Sequence, residues 1–225
     1  MLTESAKTLV PKFFDETGTT YDGVVSYGTL GKDKYWKRKM LEQISDGSSF
    51  LDLACGTGIL TREIAEKFPN SKIVGIDITK SYLDVAKENS SYFENISFIL
   101  DDAEEFKLDS KFDCITASYL PKYCDPEILV KNCTTHLKPG GKIILHDFTY
   151  PKNLVVRGLW NLFLTSLRLV GCFIPSWKDA LIGLPKLIRR TKWLESYSDV
   201  MKKNGLKVNR QYLTCGASAI LTGTK

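Results

Sequence analysis

Apolar and polar residues along 49–148 are arranged in a pattern that predicts strands and helices in turn. Short apolar runs predict five strands, at 49–53, 72–77, 96–100, 112–117 and 142–146. Between them, apolar residues recur at the spacing of one helix face, which predicts helices at 58–68, from about residue 79, and at 126–137. The Lys-Pro-Gly-Gly sequence at 138–141 predicts a turn before the fifth strand. Alternating strands and helices favour a doubly wound, mostly parallel α/β sheet.

The turn after the first predicted strand is the most informative segment of the chain. It reads Ala-Cys-Gly-Thr-Gly, residues 54–58, and its glycines permit positive φ angles without a Cβ to obstruct a ligand. Nineteen residues after Gly58, the second strand ends in Asp77, whose carboxylate is suited to accept hydrogen bonds from a ribose diol. Ligands of open α/β sheets bind beyond the carboxyl ends of the strands, so the two features together predict an adenosine-type cofactor.

The order of residues in this turn distinguishes between cofactors. Dinucleotide sites have the pattern Gly-x-Gly-x-x-Gly, whereas this chain has Asp52-x-Ala54-x-Gly56-x-Gly58. An acid two residues before the turn suits an ammonium and a sulfonium group better than a pyrophosphate. The pattern resembles motif I of class I methyltransferases that use S-adenosylmethionine (SAM). The resemblance implies a Rossmann-like, seven-stranded sheet, with SAM as methyl donor and S-adenosylhomocysteine as product.

The segments that follow the second strand, up to the end of the fourth, occur in the same order as in class I methyltransferases. By this resemblance, Asp102 and Ala103 hold adenine, and Ser118 lies beside the methyl-transfer site. Tyr21 is expected to close over the methionine end of the cofactor. The cofactor contacts that we expect are Tyr21, Asp52, Ala54, Gly56, Thr57, Gly58, Asp77, Ile78, Asp102, Ala103 and Ser118.

Segments outside the core resemble the ubiquinone/menaquinone biosynthesis C-methyltransferase family. They are the Tyr-Asp and Trp-Lys-Arg stretch at 21–39, His-Asp-Phe-Thr-Tyr-Pro at 146–151, and the closing segment 212–223. The resemblance covers about 13–223 and implies C-methylation of a prenylated quinol or a similar aromatic lipid. One departure lies after the fourth strand, where the family's Gly-x-Arg-Asn is replaced by Leu-Pro-Lys-Tyr at 120–123. Lysine cannot replace arginine where a planar guanidinium group is needed. This departure therefore leaves the identity of the methyl acceptor undecided.

Four residues on the acceptor side are candidates for catalysis. Lys122 could stabilise a phenolate, Tyr123 stands where the family has asparagine, and Asp147 or His146 could take the phenol proton, directly or through water. His146 could instead be an ordinary buried side chain, and Lys122 could be a surface charge.

Two other functions also fit the sequence: O- or N-methylation of another small molecule or lipid, and a non-catalytic, membrane-associated SAM-binding subunit. Nucleic acid is a less favoured partner, because the loop after the fourth strand lacks an Asn/Asp-Pro-Pro-aromatic motif.

Positive charge is concentrated in the last third of the chain. Residues 150–210 contain 12 Lys or Arg and 3 Asp or Glu, a net charge of +9, whereas the whole chain carries +5. This distribution favours contact with an anionic surface such as a membrane. The broadly apolar segment 154–177 contains arginines, which disfavours a membrane-spanning helix and predicts an amphipathic lid or an interfacial helix.

Composition adds expectations about compartment and domain organisation. Only two histidines and no Cys-x-x-Cys pair are present, so no metal site is predicted. Residues 1–10 lack a signal-peptide pattern, and we expect a reducing, cytoplasmic location, peripheral to the membrane if the basic surface binds it. Six scattered cysteines are expected to be free thiols, largely buried: Cys55, Cys114, Cys124, Cys133, Cys172 and Cys215.

We expect a single methyltransferase domain, 1–225. It is expected to consist of cap helices (1–45), a SAM-binding core (46–150), a helical lid after strand five (151–195) and a closing helix and strand pair (196–225). The sequence does not decide whether the chain forms a homodimer.

Overall fold

The computed structural model describes residues 9–14, 17–171 and 173–225. Cys172 and residues 1–8, on which the thiol and signal-peptide predictions partly fall, lie outside the described residues. Seven strands are present in the described part of the chain. They are β1 (Ser49–Leu53), β2 (Lys72–Asp77), β3 (Ile96–Leu100), β4 (Phe112–Ser118), β5 (Leu137–Phe148), β6 (Lys207–Leu213) and β7 (Ser218–Thr224).

The strands form one sheet in the order β3-β2-β1-β4-β5-β7-β6. The first five strands run parallel, and β7 pairs antiparallel with both β5 and β6. The predicted doubly wound, mostly parallel, seven-stranded sheet is therefore confirmed. Because β1 and β4 are neighbours whose following helices cover opposite faces, their carboxyl ends open a crevice for a ligand.

Nine α-helices of the described residues surround the sheet. They are α1 (Leu9–Phe14), α2 (Tyr21–Gly28), α3 (Lys32–Leu41), α4 (Ile59–Lys67), α5 (Lys80–Asn89), α6 (Pro126–His136), α7 (Leu154–Gly171), α8 (Lys178–Arg190) and α9 (Trp193–Lys203). Alternate residues of a strand face opposite sides, so Leu51 packs into the core beneath α6 and α9, whereas Phe50 packs with α3 and α4.

The prediction of a turn at 138–141 is wrong, because strand β5 already begins at Leu137. Leu137 pairs with Phe112 and Lys142 with Cys114, so four residues of β5 lie opposite a single residue of β4. Gly140 adopts a φ of 76°, which allows these extra residues to bulge while the strand continues. A Pro-Gly-Gly sequence is typical of a turn, but here it produces an irregularity within a long strand.

Helices α7 and α8 follow β5, joined by a short 3₁₀ helix at Pro175–Trp177. By length and composition alone α7 could cross a membrane, with a mean hydropathy of 1.2, although core helices of soluble proteins pass the same test. Its inner side packs on α8, where Leu164 and Leu167 join Trp177 and Leu181 in one apolar cluster. Its outer side is largely exposed, since only 17% of the helix is buried.

Candidate active site

The glycine-rich turn between β1 and α4 is held in a left-handed backbone conformation. Ala54, Gly56 and Gly58 have φ angles of 51°, 57° and 78°, and Gly58 directly precedes the first residue of α4. A Cβ at Gly56 would come within 4.0 Å of Tyr21 and 3.7 Å of Tyr82, so the backbone at this position faces two aromatic rings. A non-glycine residue with positive φ, such as Ala54, is strained, and such strain is concentrated at functional sites.

The Asp77 side chain, at the end of β2, is hydrogen-bonded to this turn. One carboxylate oxygen accepts a hydrogen bond from the Gly56 N–H at 2.8 Å, and the other accepts one from the Thr79 N–H at 2.8 Å. Burial raises the pKa of Asp77, and these two backbone donors oppose that rise. A carboxylate has about four acceptor positions, so the acid retains acceptor capacity toward the cavity that it lines.

Asp52 and Thr57, both predicted cofactor contacts, make internal hydrogen bonds and do not line this cavity. The Asp52 carboxylate accepts from the hydroxyls of Thr61 at 2.7 Å and Thr116 at 2.8 Å, which connects β1 to α4 and β4. Burial raises the pKa of Asp52 to about 6. The Thr57 hydroxyl donates to Asp22 at 2.6 Å, which fastens α2 to the glycine turn. Direct cofactor contact by these residues stays a prediction, as it does for Gly58.

An aromatic cluster closes over the glycine turn. The ring of Tyr21, the first residue of α2, lies 4.9 Å from that of Tyr82 and 6.1 Å from that of Trp177, measured between centroids. Phe14 contacts all three rings and Tyr123 as well. Tyr82, Trp177 and Phe14 were not predicted as site residues, because their apolar spacing in the sequence is equally typical of ordinary core positions.

One large, predominantly apolar cavity brings most of the predicted site together. Its walls come from the carboxyl ends of the parallel strands and from the helices before and after the core. The predicted residues that line it are Tyr21, Ala54, Gly56, Asp77, Ile78, Asp102, Ala103, Ser118, Lys122 and Tyr123. Helices α7 and α8 contribute Leu167, Ala180, Leu181 and Leu184, so the segment after β5 covers this cavity.

The residues after β3 form a compact polar corner of the cavity. The Asp102 carboxylate accepts a hydrogen bond from the Glu104 N–H at 2.9 Å, and its own N–H donates to Asp101 at 2.7 Å. Ala103 is buried beside them. Asp101 also lines the cavity and was not singled out from the sequence. This geometry allows contact with a base edge, but the adenine assignment stays a prediction.

Lys122 and Asp147 form a buried ion pair on the acceptor side of the cavity. The Lys122 ammonium lies 3.0 and 3.3 Å from the two carboxylate oxygens, and it also donates to the Tyr119 carbonyl. Burial lowers the pKa of Lys122 and raises that of Asp147, while their mutual attraction opposes both shifts. Lys122 is therefore not a surface charge. Asp147 does not line the cavity and lies behind the Lys122 side chain.

Tyr123 combines burial with an unsatisfied hydroxyl group. Its ring lies 4.4 Å from the Lys122 ammonium, a cation–π distance. The hydroxyl is buried and has no hydrogen-bond partner among the described residues. Burial, followed by the charge of Asp147, raises the pKa of Tyr123 well above its ordinary value, so the hydroxyl remains a donor. A buried polar atom of this kind in a cavity wall calls for a hydrogen-bond partner, which a bound ligand or a water molecule would supply.

His146 lies beneath the cavity wall rather than in it. Its Nδ1 lies 3.0 Å from the Ser118 hydroxyl and its Nε2 lies 2.6 Å from the Ser218 hydroxyl. Burial lowers the pKa of His146 well below its ordinary value, so the ring is neutral. These contacts match the alternative reading of a hydrogen-bonded core side chain. The ring orients Ser118, which does line the cavity, and a direct catalytic role stays a prediction.

Tyr119 is a site residue that the sequence patterns did not reveal. It has a φ of 64°, stacks on Phe148 at 5.1 Å, and lines the cavity. Its hydroxyl donates to Asp33 of α3 at 2.8 Å, and Asp33 also pairs with Lys37. This contact fixes the N-terminal helices against the acceptor side of the site.

Within the described residues, no group of three or more histidine, cysteine or acidic side chains could hold a metal ion. The described cysteines form no disulfide bonds, and Cys55, Cys114 and Cys133 are buried. Cys124 is partly buried and Cys215 is exposed.

The sheet order, the left-handed glycine turn and the acid at the end of β2 together define a class I SAM-dependent methyltransferase. Residues 44–167 match the family described as methyltransferase domain, and the chain belongs to that family. The residues present fit SAM, because Gly56 presents its backbone to the cavity and Asp77 offers a carboxylate at the position suited to a ribose. The protein is thus an enzyme that uses SAM as methyl donor.

Curated relatives resemble the chain over nearly its whole length. The chain is 29% identical to the ubiquinone/menaquinone biosynthesis C-methyltransferase UbiE of Hahella chejuensis, over 96% of this chain and 91% of that protein. It is 27% identical to the demethylmenaquinone methyltransferase of Chlorobaculum tepidum, over 92% of this chain and 88% of that protein. The predicted resemblance to this group of methyltransferases is therefore confirmed.

Solved structures show the same fold at lower identity. A chain in the complex between the Haloferax volcanii Trm112 methyltransferase activator and a methyltransferase superposes with a TM-score of 0.66. The two chains are 15% identical, and the match covers 94% of this chain and 96% of that one. At this identity the likeness shows the fold alone.

Proposed function

We propose that this enzyme methylates a ring carbon of a prenylated quinol or a closely similar aromatic lipid. The main support is Tyr123, a residue of the apolar cavity wall whose buried hydroxyl has no partner among the described residues and whose ring lies 4.4 Å from the Lys122 ammonium. A quinol is apolar over most of its surface and carries a phenolic oxygen that matches this donor pair. The relatives, one named a ubiquinone/menaquinone biosynthesis C-methyltransferase and one a demethylmenaquinone methyltransferase, support the same acceptor class.

The cofactor is proposed to lie along the carboxyl ends of β1, β2 and β3. Asp77 accepts from the ribose hydroxyls, and the Asp102–Ala103 corner holds the adenine, with the exposed side chain of Ile78 against the base. Tyr21 closes over the methionine end, held there by the Thr57–Asp22 hydrogen bond one residue away. Ser118 and Tyr119 then face the transferred methyl group from the end of β4.

Activation of the acceptor requires that a phenol lose its proton. In the proposed step the Lys122 ammonium passes one proton to Asp147 and takes the phenol proton in its place, so that Asp147 becomes protonated and the ammonium stays charged. Burial raises the pKa of Asp147, which favours this transfer. The phenolate that results would accept a hydrogen bond from Lys122, which has taken its proton, and a second from the Tyr123 hydroxyl, in a site of low dielectric constant.

Methyl transfer would then follow as an in-line displacement. Bound SAM would supply the methyl group, its S–C bond breaking with the electron pair left on sulfur as the ring carbon forms the new C–C bond. The ring carbon afterwards loses its hydrogen to water as a proton, and Asp147 returns its proton through Lys122 to the oxygen. The apolar walls from α7 and α8 exclude water during displacement and hold the ring in line.

The test compares a reduced and an oxidised acceptor. Purified enzyme is incubated with SAM and a short-chain demethylmenaquinone, either reduced to the quinol or left as the quinone. The mechanism needs a phenolic proton, so only the quinol should yield S-adenosylhomocysteine and a ring-methylated product. Equal turnover of both forms, or a methyl group found on oxygen, would contradict the proposal and favour another reaction of the same SAM-binding site.

A further inference from the structure

The outer face of α7 carries a row of exposed apolar side chains, interrupted only at Ser166. We define the α7 ridge as Val155, Leu159, Leu162, Leu169 and Phe173, which are 64% to 86% exposed. They recur at spacings of three, four and seven residues, so they lie along one side of the helix and just past its end. From Val155 to Leu169 the ridge is about 21 Å long at the rise of an α-helix. Exposed apolar patches of this extent mark interaction surfaces.

The opposite face of the same helix belongs to the active site. Leu164 and Leu167 are buried, and Leu167 lines the cavity. Helix α7 therefore separates the cavity from whatever covers the ridge. Because α7 is packed on α8 and lines the site, the ridge is suited to lie along a surface, not to cross a bilayer.

The charge of the segment that contains the ridge favours one kind of occupant. Residues 152–192 contain eight Lys or Arg and a single acid, Asp179, a net charge of +7. Arg157 and Arg168 are eleven residues apart, about three turns, and so lie on the same flank of α7. On the neighbouring helix α8, the Arg189 side chain donates a hydrogen bond to Asn161 of α7 at 3.1 Å. This contact places a further cation beside α7.

We infer that the α7 ridge docks on an anionic lipid surface. Apolar side chains enter the boundary between headgroups and acyl chains, while the surrounding cations contact lipid phosphates. A second copy of this chain is a poorer occupant, because pairing the ridge with itself would bring together two segments that each carry a net charge of +7. Docking in this orientation would leave only α7 between the lipid and the cavity wall formed by Leu167. The inference does not depend on the identity of the methyl acceptor.

The experiment measures sedimentation of the full chain with vesicles, without any acceptor present. We expect binding to phosphatidylcholine vesicles that contain phosphatidylglycerol, weaker binding at high salt, and little binding to phosphatidylcholine alone. The variant Leu159→Ser/Leu162→Ser/Leu169→Ser should weaken binding roughly tenfold or more. The matched control is Tyr92→Ser/Ile128→Ser, which removes exposed apolar side chains elsewhere and should bind as the unaltered chain does.

Binding of S-adenosylhomocysteine to each variant reports that the fold is intact. Absent or salt-insensitive vesicle binding would overturn the inference, as would equal binding by the α7 variant and the unaltered chain. Light scattering measures the oligomeric state and so tests whether a second copy of this chain covers the ridge. If the α7 substitutions convert a dimer to a monomer and leave vesicle binding unchanged, the ridge is an interface between copies and the lipid inference is wrong.

Discussion

The Asp77 carboxylate accepts a hydrogen bond from the backbone N–H of Gly56 at 2.8 Å, across 21 residues of sequence. This contact joins the two features that point to the cofactor, the glycine-rich turn after β1 and the acid at the end of β2. The turn therefore depends on the same side chain that is proposed to bind the ribose.

Replacing Asp77 should weaken cofactor binding. We expect Asp77→Ala to raise the dissociation constant for S-adenosylhomocysteine at least tenfold, which corresponds to about 1.4 kcal/mol. Both the ribose acceptor and the Gly56 contact are lost in this variant. Isothermal titration provides the measurement, and Asp84→Ala, which removes an exposed acid from α5, is the control. An unchanged dissociation constant for Asp77→Ala would refute the assignment.

Tyr123 offers a test that separates catalysis from stability. Tyr123→Phe removes a buried hydroxyl without a partner among the described residues, so the free energy of unfolding should stay the same or rise. The turnover number should nevertheless fall roughly tenfold or more, because the phenolate loses one donor. Cofactor affinity should not change.

The control is Tyr197→Phe, because the Tyr197 hydroxyl donates to the Cys124 carbonyl at 3.3 Å. That substitution should lower the free energy of unfolding by about 1 kcal/mol and leave turnover largely intact. Full activity of Tyr123→Phe with the quinol would show that the hydroxyl does not contact the acceptor.

The Lys122–Asp147 pair should respond differently to single and double substitution. Lys122→Met leaves a buried carboxylate without its partner and should destabilise the fold by about 3–5 kcal/mol. Lys122→Met/Asp147→Leu removes both charges and should recover most of that loss in urea unfolding, yet remain inactive. Lys203→Met breaks an exposed pair with Glu127 and should cost less than about 1 kcal/mol. A double variant that methylates the quinol would exclude this pair from catalysis.

Asp52 should give the protein a specific pH dependence of stability. Its pKa of about 6 in the folded protein lies above the ordinary value of 3.8, so the folded state holds the proton more tightly than the unfolded state does. The resulting stabilisation is fully present below about pH 3.8 and is lost as pH rises through about 6. Relative to Asp52→Asn, the unaltered chain should lose about 2 kcal/mol of unfolding free energy between roughly pH 4.5 and 7.5. A difference that does not vary with pH would contradict the role of Asp52 burial.

The sequence was sufficient to predict the parallel sheet and the cofactor turn, because both depend on local signals. An apolar run followed by small residues is recognisable without tertiary contacts, and an acid that ends the next strand occupies a known place at the sheet edge. The bulge at 138–141 was mistaken for a turn because glycine and proline favour both. Lys122 and Asp147 are 25 residues apart, and their pairing follows from the position of the loop after β4 beside β5.

The walls of the acceptor cavity were harder to predict for a different reason. Trp177, Tyr82 and Phe14 are apolar residues at helical spacing, and only their meeting around Tyr21 distinguishes them from core residues. Tyr119 carries no sequence signal for its positive φ, which the contacts with Phe148 and Asp33 maintain. The outer ridge of α7 depends on which helix face is left uncovered, and an apolar composition alone does not determine that.

The most direct test of the proposed function is incubation of the purified chain with methyl-labelled SAM and a total lipid extract under reducing conditions. We expect one molecule of S-adenosylhomocysteine per methyl group transferred, with the label on a ring carbon in the quinone fraction. Label confined to other lipids, or to an oxygen atom, would contradict the proposed acceptor while leaving the SAM-dependent enzyme class in place.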